Sequence, residues 1–353
     1  MIDIRIGDAI TELGKLQSES VNCCVTSPPY FQLRDYKTSG QYGDEATVDE
    51  YIQQMRKVFQ EVRRVLKPTG TLWLVLGDSY SNDSKWGGKT AGKHRKALHG
   101  NSPVCRIKRN TGFACKNLLM IPARVALALQ EDGWFLRSDI IWHKPNAMPE
   151  PVRDRPTSAH EHIFLLTKSK KYFFDSDAIA EPVSNATIKD LERRKIPGNC
   201  KGDSVFGNAA GLGCGPRVRA FNTWPGIGSK HGQERQRGEK YERMIAKPMR
   251  NARNVWTIPT RPFEGAHFAT FPHELARRCI LAGCPPSGVV LDPFAGSGTT
   301  GEAAINEGRS CILIELNPAY RSLIIGRLER ANLSLEALMA PQERSPASRI
   351  DCE

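Results

Sequence analysis

Ser27 follows a β-branched run and precedes two prolines and an aromatic ring, in Val25-Thr26-Ser27-Pro28-Pro29-Tyr30. Proline fixes φ and lacks an N–H, so the run Val21–Thr26 must stop here. Pro29 also holds Pro28 in an extended conformation. The product is a stiff bend at a strand's carboxyl end, the edge where open α/β sheets bind ligands. It offers one small hydroxyl, carbonyls with few internal partners and one flat ring. Such a bend suits a planar group bearing an exocyclic amine. The amine's N–H groups can donate to the Ser27 oxygen and a proline carbonyl while the group stacks on Tyr30. A proline-terminated strand beside an ordinary surface tyrosine is the plainer reading of so short a motif.

A second stretch lies far down the chain. Gly288-Val289-Val290-Leu291-Asp292-Pro293-Phe294-Ala295-Gly296-Ser297-Gly298-Thr299-Thr300 reads as strand, glycine-rich turn and helix. Gly296 and Gly298 let a ligand approach the backbone, and the N–H groups of the following helix face it. The lysine of a P-loop is absent, which argues against nucleoside triphosphate hydrolysis. Gly296, Gly298 and Gly301 have the GxGxxG spacing, so a dinucleotide stays open on that motif alone. The flanking acids say more. Asp292 closes one strand, where a carboxylate can meet an ammonium, and Glu315 closes the next, Ser310–Glu315, where an acid suits a ribose diol. A nucleoside with a cationic amino-acid tail satisfies both, and S-adenosylmethionine is such a molecule. Asp8 ends a further strand and either accepts hydrogen bonds from a ligand or caps the next helix.

These residues need a framework of strands and helices. Residues 2–7 alternate as a strand, and Ala9–Leu16 follow as a short helix. Apolar side chains at helical spacing from Val48 to Leu66 predict a helix over 48–66. Lys67-Pro68-Thr69-Gly70 ends it, and Leu72–Leu76 is a buried strand, which makes an αβ unit of a parallel sheet. A helix over 117–131 opening near Pro122, and strands at Phe135–Trp142, His160–Thr167 and Asn254–Ile258, extend the pattern. Phe271 and Pro272 lead into a helix, with Pro272 suited to its first position and Glu274 to its positive end. His160 and His162 share a strand face but lack a third partner for a metal.

The chain has 353 residues, 40% hydrophobic, enough for one large α/β domain with an insertion or for two domains. The net charge of +12 points to a polyanionic partner, most often nucleic acid. Residues 84–110 carry eight Lys or Arg and no acid, including Lys85, Lys89, Arg95, Lys96, Arg106, Lys108 and Arg109. They read as a basic loop for phosphate contact. Residues 181–253 are rich in Gly, Asn, Lys and Arg, with isolated aromatics, and suit groove or base contacts; Arg217 and Arg219 are candidates there. The ten cysteines form no CxxC pair, and Cys200, Cys214 and a histidine are poorly spaced for zinc. Reduced thiols in a cytoplasmic protein are the expectation. No apolar run is long enough to span a membrane, and the N-terminus does not read as a signal peptide.

Asp292-Pro293-Phe294-Ala295-Gly296-Ser297-Gly298 resembles the cofactor motif of amino-methylating DNA methyltransferases, and Thr26-Ser27-Pro28-Pro29-Tyr30 resembles their catalytic motif. The catalytic motif comes first and the cofactor motif last, which resembles the permuted β group of N4-cytosine and N6-adenine enzymes. The resemblance spans roughly residues 2–180 and 254–330. It implies an α/β, Rossmann-like S-adenosylmethionine-dependent methyltransferase fold: a circularly permuted, seven-stranded, mostly parallel sheet with an inserted target-recognition region. Residues 1–180 would be the catalytic half, 181–253 the target-recognition region, 254–330 the cofactor half and 331–353 a helix end and tail. Ser27, Pro28, Pro29 and Tyr30 would be catalytic. Asp8, Thr26, Phe271, Pro272, Asp292, Pro293, Phe294, Gly296, Gly298, Thr299 and Glu315 would hold the cofactor.

The implied substrate is double-stranded DNA, with base flipping, since a paired amine cannot reach a sulfonium methyl. Ser at position 27 resembles the cytosine-N4 enzymes, whereas adenine-N6 enzymes more often carry Asp or Asn. Cytosine-C5 chemistry needs a Pro-Cys nucleophile, and no Pro-Cys dipeptide occurs. The family also implies a prokaryotic or phage-encoded cytosolic enzyme, monomer or homodimer, with a cognate restriction endonuclease as a partner. Two other classes compete: a DNA-binding relative without turnover, and an NAD-dependent enzyme, which leaves Ser-Pro-Pro-Tyr without a task.

Overall fold

The computed structural model describes residues 1–33, 38–81, 111–150, 152–186, 249–260 and 271–339. The chain divides into two units, Met1–Asp175 with Arg253–Glu353, and Ser176–Ala252. The first unit is built on one sheet. Its strands are β1 (Ile2–Ile6), β2 (Val21–Thr26), β3 (Leu66–Leu76), β4 (Phe135–His143), β5 (His160–Thr167), β8 (Val255–Thr257), β9 (Val289–Asp292) and β10 (Ser310–Glu315). Their order is β1-β10-β9-β2-β3-β5-β4-β8. Strands β1 to β3 run parallel through β10, β9 and β2; β5 is antiparallel to both β3 and β4, and β8 is parallel to β4. The sheet is therefore mostly parallel, and among the described residues it has eight strands rather than the expected seven. The additional member is the three-residue edge strand β8. In the second unit, β6 (Glu181–Pro182) pairs antiparallel with β7 (Met249–Arg250).

Helices cover the sheet because β2 and β3 are apolar on both faces, as parallel strands are when both sides are packed. On one face lie α1 (Ala9–Gly14), α2 (Val48–Val65) and α3 (Ile121–Glu131). Leu13, Tyr51, Met55, Val58, Phe59, Val62, Val125 and Leu129 form one core with Cys24, Leu72, Leu74, Leu76 and Ile312. The helix α4 (His273–Gly283) packs on β2 and β3, and α5 (Thr299–Asn306) lies between α4 and α6 (Arg321–Met339). No helix of the described residues is long and apolar enough to cross a membrane.

Several boundaries differ from expectation for local reasons. Helix α1 ends at Gly14, two residues before Leu16. Helix α2 opens on a capping box, with the Thr47 hydroxyl accepting from the Glu50 N–H, and ends at Val65. Leu66 is already extended, so β3 begins there and runs through Lys67-Pro68-Thr69-Gly70. The residue before a proline avoids the helical region. The pairing shift between Val21 and Cys23 absorbs the extra residues. Pro272 stands at the N-cap of α4, not its first helical position, with extended φ and ψ of −62° and 144°.

Candidate active site

Register brings the chemistry-bearing residues to one edge. Ile6 pairs with Glu315, Leu313 with Asp292, and Cys24 with Leu291. The carboxyl ends of β1, β10, β9 and β2 therefore lie side by side, although β2 and β9 are far apart in sequence. The chain leaves β9 toward β10 and leaves β2 toward β3, in opposite directions along the sheet. The gap between β2 and β9 is thus a topological switch point, where ligands bind in open α/β sheets.

A cleft of about 780 Å³, part of it open to solvent, occupies this edge. Its lining includes Ser27 and Pro29 after β2, Pro293 to Ser297 in the glycine turn, Thr299, Glu315, and Phe271 before α4. Glu315 is 9% exposed and held by backbone donors: Oε2 accepts from Gly296 N–H and Oε1 from Asn317 N–H, each at 2.8 Å. Burial pushes its carboxyl up to about 7, and the charge of Asp292 adds to the rise while those two N–H groups oppose it. The remaining lone pairs can accept from a diol. The apolar rings of Phe271 and Phe294 and the acid of Glu315 fit a nucleoside, with one surface for a base and one acceptor for a sugar.

Asp292 and Thr26 have a different place from the one their strand-end positions suggest. Asp292 is only 1% exposed. One carboxylate oxygen accepts from the Thr26 hydroxyl at 2.7 Å and the Phe294 N–H at 3.0 Å, and the other accepts from the Thr300 hydroxyl at 2.6 Å. Both oxygens are engaged inside the fold, and neither Asp292 nor Thr26 lines the cleft. Together they tie the end of β2 to the glycine turn. Burial lifts the Asp292 carboxyl to about 6 despite these donors.

Asp8 caps α1 by accepting from the Thr11 N–H at 2.9 Å, and it also accepts from the Tyr42 hydroxyl at 2.7 Å. It faces a neighbouring depression shared with Gln41 and Tyr42. Gly298 is the left-handed N-cap of α5 (φ 83°) and packs beside Ile324. Pro272 caps α4 outside the cleft lining. Thr299 receives a hydrogen bond from Arg327, which also donates to the Ser297 hydroxyl at 3.0 Å.

On the other side of Ser27 the polar contacts form a chain. Its hydroxyl donates to the Tyr30 hydroxyl at 3.3 Å, which donates to Glu161 Oε2 at 2.7 Å. The other Glu161 oxygen accepts from Lys144, whose ammonium also sits 4.4 Å from the Trp142 ring centre. The Pro29 carbonyl accepts from the Tyr51 hydroxyl at 3.0 Å, so part of the bend's acceptor capacity is used internally, and Pro28 is buried. Sequence reasoning passed over Glu161 and Lys144. The one available signal is strand alternation, which places Glu161 on the opposite face from His160 and His162. Those two rings meet edge to face, and His162 contacts Asp139 at 2.9 Å. No group that could hold a metal occurs among the described residues. Lys85, Lys89, Arg95, Lys96, Arg106, Lys108, Arg109, Arg217 and Arg219 lie outside the described residues, as do Cys200 and Cys214.

Comparison with known proteins matches this architecture. The N6/N4 methyltransferase family model, described as DNA methylase, matches residues 21–326. The Type II methyltransferase M.SmaI of Serratia marcescens is 41% identical over 327 residues, covering 93% of this chain and 90% of that protein. Among solved structures, the PvuII DNA methyltransferase (cytosine-N4-specific) superposes with a TM-score of 0.55 at 18% identity, covering 93% of this chain and 89% of that one. TTHA0409 from Thermus thermophilus, complexed with S-adenosyl-L-methionine, superposes with a TM-score of 0.52 at 23% identity, covering 94% of each chain. These two show the fold. With the family model spanning most of its length and a relative above 40% identity across nearly all of it, the chain belongs to the DNA methylase family.

Proposed function

We propose that this DNA methylase transfers a methyl group from S-adenosylmethionine to the exocyclic N4 amine of cytosine in duplex DNA. The observation that carries the reading is the placement of Ser27 on the same cleft as Glu315 and the glycine turn. A nucleoside held by Glu315, Gly296, Phe271 and Phe294 would put its cationic tail within the cleft that Ser27 borders. When bound, S-adenosylmethionine supplies an electrophilic methyl on a sulfonium. The residues of this chain orient the other reactant. A paired cytosine amine is shielded inside the duplex, so the base must leave the stack, at a cost of a few kcal/mol. The amine's lone pair is delocalised into the ring. Hydrogen bonds from its N–H groups to Ser27 Oγ and the Pro28 carbonyl favour a pyramidal nitrogen whose lone pair points at the methyl. Positioning of this kind contributes much of such a rate, without a covalent enzyme intermediate. The ring of Tyr30 offers a surface for the flipped base.

Ser27, in place of Asp or Asn, supports cytosine over adenine. The catalytic-type bend preceding the glycine turn supports the permuted β group. The basic residues of 84–110 and the segment 181–253, which falls in the unit Ser176–Ala252 except for Arg253, suit phosphate contact and target recognition. Likeness to a Type II methyltransferase supports a cytoplasmic role beside a restriction endonuclease. The test is methyl transfer from labelled S-adenosylmethionine to unmethylated duplex DNA, followed by nucleoside mass spectrometry. N4-methylcytosine is the expected product. N6-methyladenine would overturn the base assignment, and cofactor binding without transfer to a varied genomic DNA would overturn the assignment as an active DNA enzyme.

A further inference from the structure

We infer that Glu161, acting through Tyr30, is a positioning residue that fixes the Ser27 hydroxyl as a hydrogen-bond acceptor toward the cleft. The inference rests on the proposed amine chemistry and adds to it a residue 131 positions from Tyr30 in sequence. A carboxylate accepts hydrogen bonds and does not donate them, and the other oxygen of Glu161 accepts from Lys144. Tyr30 has one hydroxyl proton, and at 2.7 Å from Glu161 Oε2 it is committed there. The Tyr30 oxygen can then only accept, so the Ser27 proton turns to it and away from the cleft. What Ser27 presents to the cleft is lone pairs alone, which an amine N–H needs. A freely rotating serine would instead direct its proton at the amine for part of the time.

The surroundings hold this polarity in place. Glu161 and Lys144 side chains are 17% and 19% exposed, so bulk water competes little. Burial, reinforced by the charge of Glu161, raises the Tyr30 phenol well above its ordinary value, which keeps its proton in place at neutral pH. Gly77, just after β3, makes room for the arrangement: a Cβ there would lie 2.6 Å from Tyr30 Cε2 and 3.3 Å from Glu161 Cδ. Trp142 and Glu161 are cross-strand neighbours, which brings Lys144 to the carboxylate.

Substitution of Glu161 by Gln keeps the shape and introduces an N–H donor. That donor can satisfy the Tyr30 oxygen, release the Tyr30 proton toward Ser27 and reverse the chain. Single-turnover methylation of duplex DNA by the full-length protein should then slow by roughly tenfold or more, the worth of one misdirected hydrogen bond. Cofactor and DNA affinities and the melting temperature should stay near those of the wild type. Tyr30→Phe keeps a ring for stacking and breaks the chain, so it should slow the step similarly. Glu161→Gln added to Tyr30→Phe should slow it little further, because the intermediary is already gone.

Additive losses in the double variant, or a parallel loss of cofactor affinity and melting temperature, would show Glu161 to be merely structural and overturn the inference. Full activity of Glu161→Gln would overturn it as well. Each of those outcomes leaves wild-type methylation intact, whereas absence of transfer by the wild type would instead remove the underlying reading.

Discussion

Two carboxyls at neighbouring strand ends, Glu315 and Asp292, have burial lifting them to about 7 and about 6. Only Glu315 lines the cleft. A ligand whose hydroxyls donate to its ionised form must bind more weakly where that form is scarce. Cofactor affinity should therefore rise as pH passes upward through about 7, and fall by up to about tenfold per unit below it. For the ligand-free protein the sign is opposite. An unfolded glutamate gives up its proton near the ordinary 4.5, and the folded one near 7. The native state holds the extra proton between those values, so stability is lost as pH rises across that window. Calorimetric titration of S-adenosylmethionine at about pH 6 and about pH 8, either side of that value, should show the difference, and Glu315→Gln should flatten it. A pH-independent affinity in the wild type would remove Glu315 from the binding contacts. The strand-end placement of Ser27 and Glu315 is legible in sequence because a proline-terminated strand and a strand–glycine–helix turn are local patterns. The inward turn of Asp292 is not, since one of its donors, Thr26, lies 266 positions away.

Elements carry these residues through the contact of α4 with the centre of the sheet. Gly283, the last residue of α4, sits directly over β3. A Cβ there would be 2.2 Å from Trp73 Nε1 and 2.4 Å from Thr71 Oγ1. Those atoms are themselves fixed: Trp73 Nε1 donates to Thr71 Oγ1, which donates to the Gly283 carbonyl at 3.0 Å. Neither can retreat without breaking a buried hydrogen bond, and Trp73 is stacked against Trp256 and Phe174. Gly283→Ala should cost about 1–3 kcal/mol by overpacking, plus part of the broken bond. The urea midpoint should fall accordingly with an unchanged slope. An unaffected midpoint would mean that α4 can slide freely, and with it Phe271 at its entrance. Helix α2 follows from apolar periodicity, and strands β2, β5 and β10 from apolar and β-branched runs. The approach of α4 to β3 does not, because a glycine near a helix end reads first as a terminator. The short strand β8 is legible in Asn254–Ile258, but its place at the edge of the sheet is not, since that depends on its pairing with β4.

For the whole molecule the net charge of +12 is less telling than its distribution. Residues 84–110 carry eight cations and no acid, and residues 181–253 carry fifteen cations against seven acids. Together these two segments exceed the charge of the whole chain, so the remaining residues carry a small net negative charge. Attraction to a polyanion must therefore come from the two segments, while the cofactor edge contributes little. DNA affinity should fall linearly on a log–log plot against salt, with a slope of about −0.9 for each phosphate neutralised. Replacing Arg106, Lys108 and Arg109 together by Ala should make that slope shallower by up to about 2.7 and weaken binding to all sequences alike. Cofactor affinity should not change with them. Filter binding or fluorescence anisotropy on specific and non-specific duplexes from about 50 to about 200 mM salt reads both quantities, this being the range over which several phosphate contacts change affinity by orders of magnitude. An unchanged slope would move the phosphate contacts to 181–253, where Arg217 and Arg219 are the residues to replace next. A slope change confined to one duplex would instead make 84–110 a reader of sequence.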